Sequence, residues 1–175
     1  MKIGIISDTH SKVIYTKNAL DMLLENGAEF IIHAGDICEY ETLELLKNYP
    51  KRYVAVYGNN DAHLVEYHND YNLVQEPNYF KLADTTFKLM HLPFYMSPDT
   101  QIVISGHTHE FHSEFVKGTL FLNPGEICAR SKAISECAML EILDETLLVT
   151  HYTKKVDKKK EKPFKEKTFT YKRKK

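Results

Sequence analysis

The stretch KIGIISDTHSKVIYTKNALDMLLENG, residues 2–27, decides the fold class. Its first six residues are nearly all apolar, which is typical of a strand buried on both faces. The segment KNALDMLLENG has apolar residues at helical spacing, and Gly27 is a common residue at the end of a helix. The same unit repeats in EFIIHAGD and ETLELLKNY, and RYVAVYGNND supplies a third strand. The repeat predicts a parallel β-α-β-α-β start.

After residue 75 the pattern changes to short strands joined by turns. The segments QIVISGHTH, SEFVKGTLFLNPG and CAMLEILDETLLVTHY leave little room for helices. An α/β first half and a strand-rich second half predict two packed mixed β-sheets flanked by helices.

The length and composition indicate one folded domain, which we place at residues 1–153. A chain of 175 residues with 43% hydrophobic content is long enough for one well-filled core. We find no secretory signal or membrane-spanning run in the sequence. The three cysteines, Cys38, Cys128 and Cys137, are an odd number without CxxC spacing, which favours a reducing cytoplasm and structural roles for all three. We therefore expect a cytoplasmic protein.

The segment 154–175 is a basic, low-complexity C-terminal tail in this interpretation. It holds 12 Lys/Arg against 3 Asp/Glu, which leaves 11 against 21 for residues 1–153. Three alternatives stay open for it. It is a solvated appendage, it docks on the acidic body, or it binds an anionic partner such as nucleic acid, with Phe164, Phe169 and Tyr171 available to stack on bases.

Five of the predicted strands end in polar side chains that can bind a metal ion. In open α/β sheets, ligands bind at the carboxyl ends of the strands. Five strand ends therefore converge on one rim. The side chains concerned are Asp8, His10, Asp36, Asn59, His91, His107 and His109.

The spacing of these residues predicts two metal ions. Residues two apart in an extended chain project to the same side, so His107 and His109 can face one centre, as can Asp8 and His10. Seven ligands are too many for one tetrahedral ion. The carboxylate of Asp36 can bridge two ions roughly 3.5 to 4 Å apart.

The motifs D-x-H, G-D, G-N-x-D, a strand-ending His and G-H-x-H, in this order, resemble the calcineurin-like metallophosphoesterase family over about residues 1–150. The form GNND and the later LNPG, residues 122–125, are most similar to its small YfcE-type phosphodiesterases. The resemblance implies a four-layer sandwich. It also implies one metal on Asp8, His10, Asp36 and His109, and a second on Asp36, Asn59, His91 and His107.

The ligand types indicate the chemistry. Two divalent ions and two carboxylates leave a positive centre that attracts a phosphate ester and acidifies a bridging water. We expect that hydroxide to attack phosphorus in line with the leaving oxygen. Nitrogen and oxygen ligands without thiolate favour Mn, Fe, Co, Ni or Zn, and we predict Mn²⁺.

Two features depart from the family pattern. Many relatives carry a histidine that can protonate the leaving group where this chain has Asn60, which can only hydrogen-bond. The segment LPFYMSPDT after His91 is short and contains two prolines, so we predict a trimmed wall without a helix. We place Asp36, Asn59, Asn60 and Asp61 among the catalytic residues, and Asn60 and Asn123 among those that bind substrate.

The remaining histidines, and two polar residues near the Pro-Gly pair, have structural or functional interpretations. We interpret His33, His112 and His151 as structural, because none of them fits a motif. His63 and His68 are structural or supply a proton. Asn123 and Glu126 line the substrate cavity, or they belong to a turn fixed by the Pro-Gly pair at residues 124–125.

The sequence favours a phosphodiesterase that acts on small organic phosphodiesters or nucleotides. A nuclease that uses the basic tail is a variant of this hypothesis. The alternatives are a Vps29-like scaffold, which shares the predicted fold, and a nucleotide-binding module without turnover. The complete ligand set favours the enzyme. A homo-oligomer stays open.

Overall fold

The computed structural model describes residues 1–82, 84–157, 160 and 162–173. The elements found there form a mixed α/β structure, and no described helix is long and apolar enough to cross a membrane. In chain order, the elements are β1 (Lys2–Ile6), α1 (Val13–Glu25), β2 (Phe30–His33), α2 (Tyr40–Asn48), β3 (Arg52–Val56), a 3-10 helix (Ala62–Tyr67), β4 (Leu73–Val74), β5 (Asn78–Leu82), β6 (Thr85–Leu89), β7 (Ile102–Ile104), β8 (Phe111–Val116), β9 (Thr119–Pro124), β10 (Ile134–Ile142), β11 (Thr146–Lys155) and β12 (Lys165–Lys172).

The first sheet has the strand order β12-β11-β10-β1-β2-β3-β4. Strands β1 to β4 run parallel, which confirms the predicted β-α-β-α-β start. Strand β10 pairs antiparallel with β1, and β11 and β12 continue the antiparallel part. The second sheet has the order β5-β6-β7-β9-β8, with β6, β7 and β9 parallel.

Apolar side chains fill the space between the two sheets and the space under the helices. Ile5 of β1, Leu89 of β6 and Ile104 of β7 meet in the core between the sheets. On the other face of the first sheet, Leu23 of α1 and Leu43 of α2 belong to a second buried cluster. The prediction of two packed mixed sheets with flanking helices is confirmed.

A loop covers part of the outer face of the second sheet. Among the described residues, no α-helix covers this face, and the loop 92–100 lies over Lys88 of β6 instead. Lys88 is 0% exposed. Its Nζ donates to the carbonyl of Tyr95 at 2.8 Å and lies 2.5 Å from Asp99 Oδ1. The two prolines of this loop prevent a helix, as the sequence predicts, and the buried lysine fixes the loop in its place.

Much of the C-terminal segment is part of the first sheet. Residues 165–172 form β12, which pairs with β11, so the predicted domain limit at residue 153 falls inside β11. Phe169 and Tyr171 pack against the core between the sheets. Of the three alternatives for the tail, docking on the body is the one that these residues adopt. Residues 158, 159, 161, 174 and 175 of the predicted tail lie outside the described residues.

Candidate metal centre

The predicted ligands follow the ends of five strands, in loops with an unusual backbone. Each lies just after β1, β2, β3, β6 or β7. Five of the seven have positive φ, between 43° and 69°. A left-handed backbone is costly for residues other than glycine, and it is concentrated at functional sites. These five residues are Asp8, His10, Asp36, His107 and His109.

Two glycines let these loops approach each other closely. A Cβ atom at Gly58 would lie 2.2 Å from the backbone nitrogen of Asp36. At Gly106, a Cβ atom would lie 2.1 Å from Ser7 Oγ. No other residue fits at either position, since real Cβ atoms do not come this close to other heavy atoms. Gly58 of the GNND motif therefore brings two loops of the first sheet together, and Gly106 of the GHTH motif brings a loop of the second sheet against the first.

Asp8 is a fully buried carboxylate with one oxygen that lacks a hydrogen bond among the described residues. Its Oδ2 accepts a hydrogen bond from the backbone nitrogen of His107 at 3.1 Å. Its Oδ1 lies 3.4 Å from His109 Nε2 and has no hydrogen-bond partner among the described residues. Burial raises the pKa of Asp8. Because an unpaired buried carboxylate oxygen is costly, this atom fits a bound cation.

Asp36 lies between two histidines. Its Oδ1 is 3.5 Å from His91 Nε2, and its Oδ2 is 3.6 Å from His10 Nε2. Asn60 donates to both oxygens, from its backbone nitrogen at 3.0 Å and from Nδ2 at 2.8 Å. Burial alone would raise the pKa of Asp36, but the contacts with His91 and Asn60 outweigh it and hold that pKa well below its usual range. The carboxylate thus lies between two of the candidate ligands.

Two of the histidines are oriented through their second ring nitrogen. His91 Nδ1 donates to the carbonyl of Ala34 at 2.8 Å, and its Nε2 faces Asn59 Oδ1 at 3.0 Å. His109 Nδ1 donates to the carboxylate of Glu126. In both cases Nε2 remains directed at the carboxylates of the centre. This arrangement is the usual one for metal-binding histidines.

Ring contacts connect the remaining ligands to the cluster. The rings of His10 and His109 are stacked with centroids 5.4 Å apart, and those of His91 and His107 lie 5.2 Å apart. Candidate ligand atoms of Asp8, Asp36 and His91 all lie within 4.8 Å of one another. The structure thus brings together all seven residues that the sequence singles out.

Asp61 is placed behind the centre. It is fully buried and accepts hydrogen bonds from the backbone nitrogens of Ile37 at 3.1 Å, Cys38 at 2.8 Å and Gly58 at 2.7 Å. These bonds tie the loop of Asp36 to the loop that follows β3. Asp61 is therefore a positioning residue.

Asn123 is engaged in a turn, as one of its two interpretations predicts. Its Nδ2 donates to the carbonyl of Gly106 at 2.8 Å and to Thr108 Oγ1 at 3.1 Å, and its Oδ1 accepts from the backbone nitrogen of Gly125 at 3.0 Å. The side chain is 4% exposed. It holds the loop that carries His107 and His109, so the predicted contact with substrate has no support from this geometry.

Three residues of the loop 125–132 contact the cluster in ways that the sequence does not reveal. Glu126, fully buried, accepts from His109 and from the backbone nitrogens of residues 131 and 132. Burial would raise its pKa, but these hydrogen bonds hold the pKa at about 2. Arg130 NH2 lies 3.1 Å from His10 Nε2. Cys128 lies within 4.8 Å of His10 and His109, and burial raises the pKa of its thiol to about 12. No local spacing signals these contacts.

The other histidines have ordinary partners. His33 is fully buried, with Nε2 3.0 Å from Thr9 Oγ1 and Nδ1 accepting from the backbone nitrogen of residue 35. Burial lowers its pKa to about 3, so it is neutral and structural. His63 Nε2 donates to the carbonyl of residue 38, and His68 Nδ1 donates to that of residue 65. His112 lies 3.6 Å from Glu114.

Comparison with known proteins defines the family. The model of the calcineurin-like phosphoesterase superfamily domain matches residues 1–145. Phosphodiesterase MJ0936 of Methanocaldococcus jannaschii is 29% identical over 154 residues, which cover 81% of this chain and 93% of the relative. The chain belongs to the calcineurin-like phosphoesterase superfamily. The predicted membership of a metal-dependent phosphoester hydrolase family is confirmed.

Two solved structures are similar over nearly the whole chain. An archaeal phosphodiesterase superposes with a TM-score of 0.72 at 27% identity, covering 97% of this chain and 100% of the other. Vps29 of Chaetomium thermophilum superposes with a TM-score of 0.78 at 12% identity, covering 99% of both chains. The second likeness concerns the fold alone.

Proposed function

We propose that the chain is a dinuclear-metal-dependent phosphodiesterase that hydrolyses small organic phosphodiesters or nucleotides. The observation that carries the proposal is the buried Asp8 Oδ1, which has no hydrogen-bond partner among the described residues and faces His109 Nε2. A second carboxylate, Asp36, lies between His10 and His91, where it would bridge two ions. The family supports the reaction class.

The chain's own side chains divide into two groups around that bridge. Asp8, His10 and His109 would complete the shell of one ion with Asp36, and Asn59, His91 and His107 would complete the shell of the other. Bound ions would activate water and neutralise charge on the phosphoryl oxygens. The nitrogen and oxygen ligand set suits Mn, with Ni, Co, Fe and Zn as alternatives.

Arg130 and Asn60 define how substrate is held. Arg130 is exposed on the solvent side of the cluster, and its guanidinium lies beside His10. It can therefore donate two parallel hydrogen bonds to the non-bridging oxygens of a phosphate. Asn60 is anchored on Asp36 by two hydrogen bonds and has no proton to give. We infer that diesters with good leaving groups are the preferred substrates.

The alternatives receive less support. A Vps29-like scaffold shares the fold, but it does not require seven clustered ligands or a buried unpaired carboxylate oxygen. A nuclease that stacks bases on the tail would use Phe164, Phe169 and Tyr171, and all three pack partly against the core clusters. A nucleotide-binding module without turnover differs from the enzyme only in its rate.

The test is hydrolysis of bis-p-nitrophenyl phosphate by metal-stripped protein after addition of Mn, Ni, Co, Zn or Mg. Its leaving group needs little protonation, so Asn60 does not limit the rate. We expect turnover that depends on metal and is lost in Asp36→Asn. Arg130→Gln should retain the bound metal and lower kcat/KM about tenfold, as expected for loss of a hydrogen bond to a charged group. Two bound ions per chain without turnover would reject the enzyme in favour of the binding module.

A further inference from the structure

A second cavity lies apart from the metal centre, between the start of α1, the β10–β11 hairpin and the C-terminal segment. Its volume is about 470 Å³, which is within the range of small-molecule sites. None of the seven predicted metal ligands is among the described residues that line it. The lining residues that carry the argument are Tyr15, Ser135, Lys154, Lys155, Lys162 and Phe164.

The cavity is basic on one side. Among the described lining residues, the lysines at positions 154, 155, 160 and 162 outnumber the acidic Asp157. Lys154 also lies over the ring of Phe164, with Nζ 5.3 Å from the centroid. Several lysines around one small cavity favour an anionic ligand, and a phosphate group can contact more than one of them.

Ser135 provides an independent indication that a ligand belongs there. It lines the cavity and is 3% exposed. Its Oγ is buried and has no hydrogen-bond partner among the described residues. Its register partner on β11 is Lys154, which lines the same cavity. A buried hydroxyl without a partner costs free energy, and a ligand oxygen or nitrogen in the cavity would satisfy it.

The remaining wall is apolar and aromatic. Tyr15 of α1 and Phe164 are partly buried and pack against the core under the helices. Ile14, beside them, is 73% exposed. An aromatic wall next to a group of lysines matches a ligand with a flat ring system and a phosphate group.

We propose that this cavity is a second binding site, specific for a nucleoside phosphate. The phosphate contacts the lysines, the base lies against Tyr15 and Phe164, and the ligand satisfies the hydroxyl of Ser135. A volume of about 470 Å³ suits a mononucleotide rather than a long strand of nucleic acid. The proposal does not depend on the proposed function of the metal centre, because the two sites share none of the residues named for them.

The test is isothermal titration calorimetry of ADP with the metal-free full-length protein. We expect one saturable site, and adenosine, which lacks the phosphate, should not bind measurably. Lys155→Gln and Lys162→Gln should each weaken binding about fivefold, and Ser135→Ala about threefold, as expected for the loss of one hydrogen bond or charge contact. Lys51→Gln, the same change between α2 and β3, and Arg130→Gln, a change at the candidate metal centre, should leave the dissociation constant unaltered. Thermal unfolding checks that each variant is folded.

Four outcomes would overturn the proposal. The first is absence of saturable ADP binding, and the second is equal binding of ADP and adenosine. The third is an affinity that falls in Arg130→Gln and not in Lys155→Gln or Lys162→Gln, which would place the nucleotide at the metal centre. The fourth is binding of a single-stranded oligonucleotide without binding of ADP, which would assign the lysines to nucleic acid.

Discussion

Two buried glutamates ten residues apart allow a comparison of the candidate metal centre with the β10–β11 hairpin. Glu126 lies in the loop after β9, and Glu136 lies in β10. Both contact Lys132, whose backbone nitrogen donates to Glu126 Oε1 at 3.1 Å and whose Nζ donates to Glu136 Oε2 at 2.6 Å. Each also contacts a histidine. From their burial and partners alone, the two carboxylates are alike.

The surroundings of the two histidine rings distinguish the two regions. His109 presents its Nε2 to Asp8 Oδ1 at 3.4 Å, at the centre of the predicted ligand cluster. The ring of His151 stacks on Phe111 with centroids 3.8 Å apart and planes 8° apart, and its Nε2 lies 3.1 Å from Glu136. A carboxylate–histidine pair therefore indicates function only when the other ring nitrogen faces a site. The first pair belongs to the candidate metal centre, and the second holds the sheet together.

The largest expected effect compares the two histidines. His109→Gln should abolish turnover and lower the metal content, because it removes a ligand nitrogen. The loss should exceed the roughly tenfold to hundredfold effect of losing a supporting residue. His151→Gln should retain both the metal and the activity. Metal analysis and steady-state rates on bis-p-nitrophenyl phosphate compare the two variants. Equal losses in the two variants would remove the distinction between the regions.

The second effect compares the two glutamates. In Glu126→Gln, the hydrogen bond from His109 loses its charged acceptor, so we expect metal affinity and turnover to fall roughly tenfold to hundredfold. Glu136→Gln is the matched control, since it makes the same change beside a histidine that does not face the cluster. Titration of metal-stripped protein with Mn²⁺ gives the affinities. Unchanged affinity in Glu126→Gln would mean that Glu126 only fixes the loop.

The sequence predicts the clustering of the candidate ligands better than it predicts the residues that orient them. Ligands such as Asp36 and His91 stand directly after apolar strands, and parallel strands bring their carboxyl ends to one rim, so local pattern and topology place them together. The contact of Glu126 with His109 joins two loops that are 17 residues apart. It depends on the path of the loop 125–132, and no periodicity encodes that path. The same reason hides Arg130, whose partner His10 is 120 residues away.

Composition also conceals part of the fold. Residues 165–172 carry enough lysine to resemble a solvated tail, yet Phe169 and Tyr171 stand two apart, which is the period of a strand with one buried face. The residues that alternate with them, Thr168, Thr170 and Lys172, are exposed. Lys88 is the opposite case, because a lysine in the middle of a strand predicts an exposed face, whereas the loop 92–100 covers it and satisfies its charge.

A third, smaller effect concerns stability. Glu136→Gln should lower the free energy of unfolding by about 1 kcal/mol, because Lys132 loses a charged acceptor and remains partly in solvent. Urea unfolding of the metal-free protein, followed by circular dichroism, measures the change. A loss as large as that caused by removing a core side chain would show that Glu136 has a wider structural role than its described contacts indicate.

The smallest effect is the pH dependence of the stability difference between the wild type and Glu136→Gln. Burial alone would raise the pKa of Glu136, but the His151 and Lys132 side chains outweigh it, so the folded pKa lies below the ordinary value of 4.5. A carboxyl group whose pKa is lowered on folding stabilises the protein above its unfolded pKa, and this contribution is lost as the pH falls through the folded pKa. The difference in unfolding free energy between the wild type and Glu136→Gln should therefore be constant near neutral pH and decrease below about pH 4.5. A difference that stays the same down to pH 3 would mean that the lysine and the histidine do not stabilise the carboxylate, and that the loss in Glu136→Gln comes from packing.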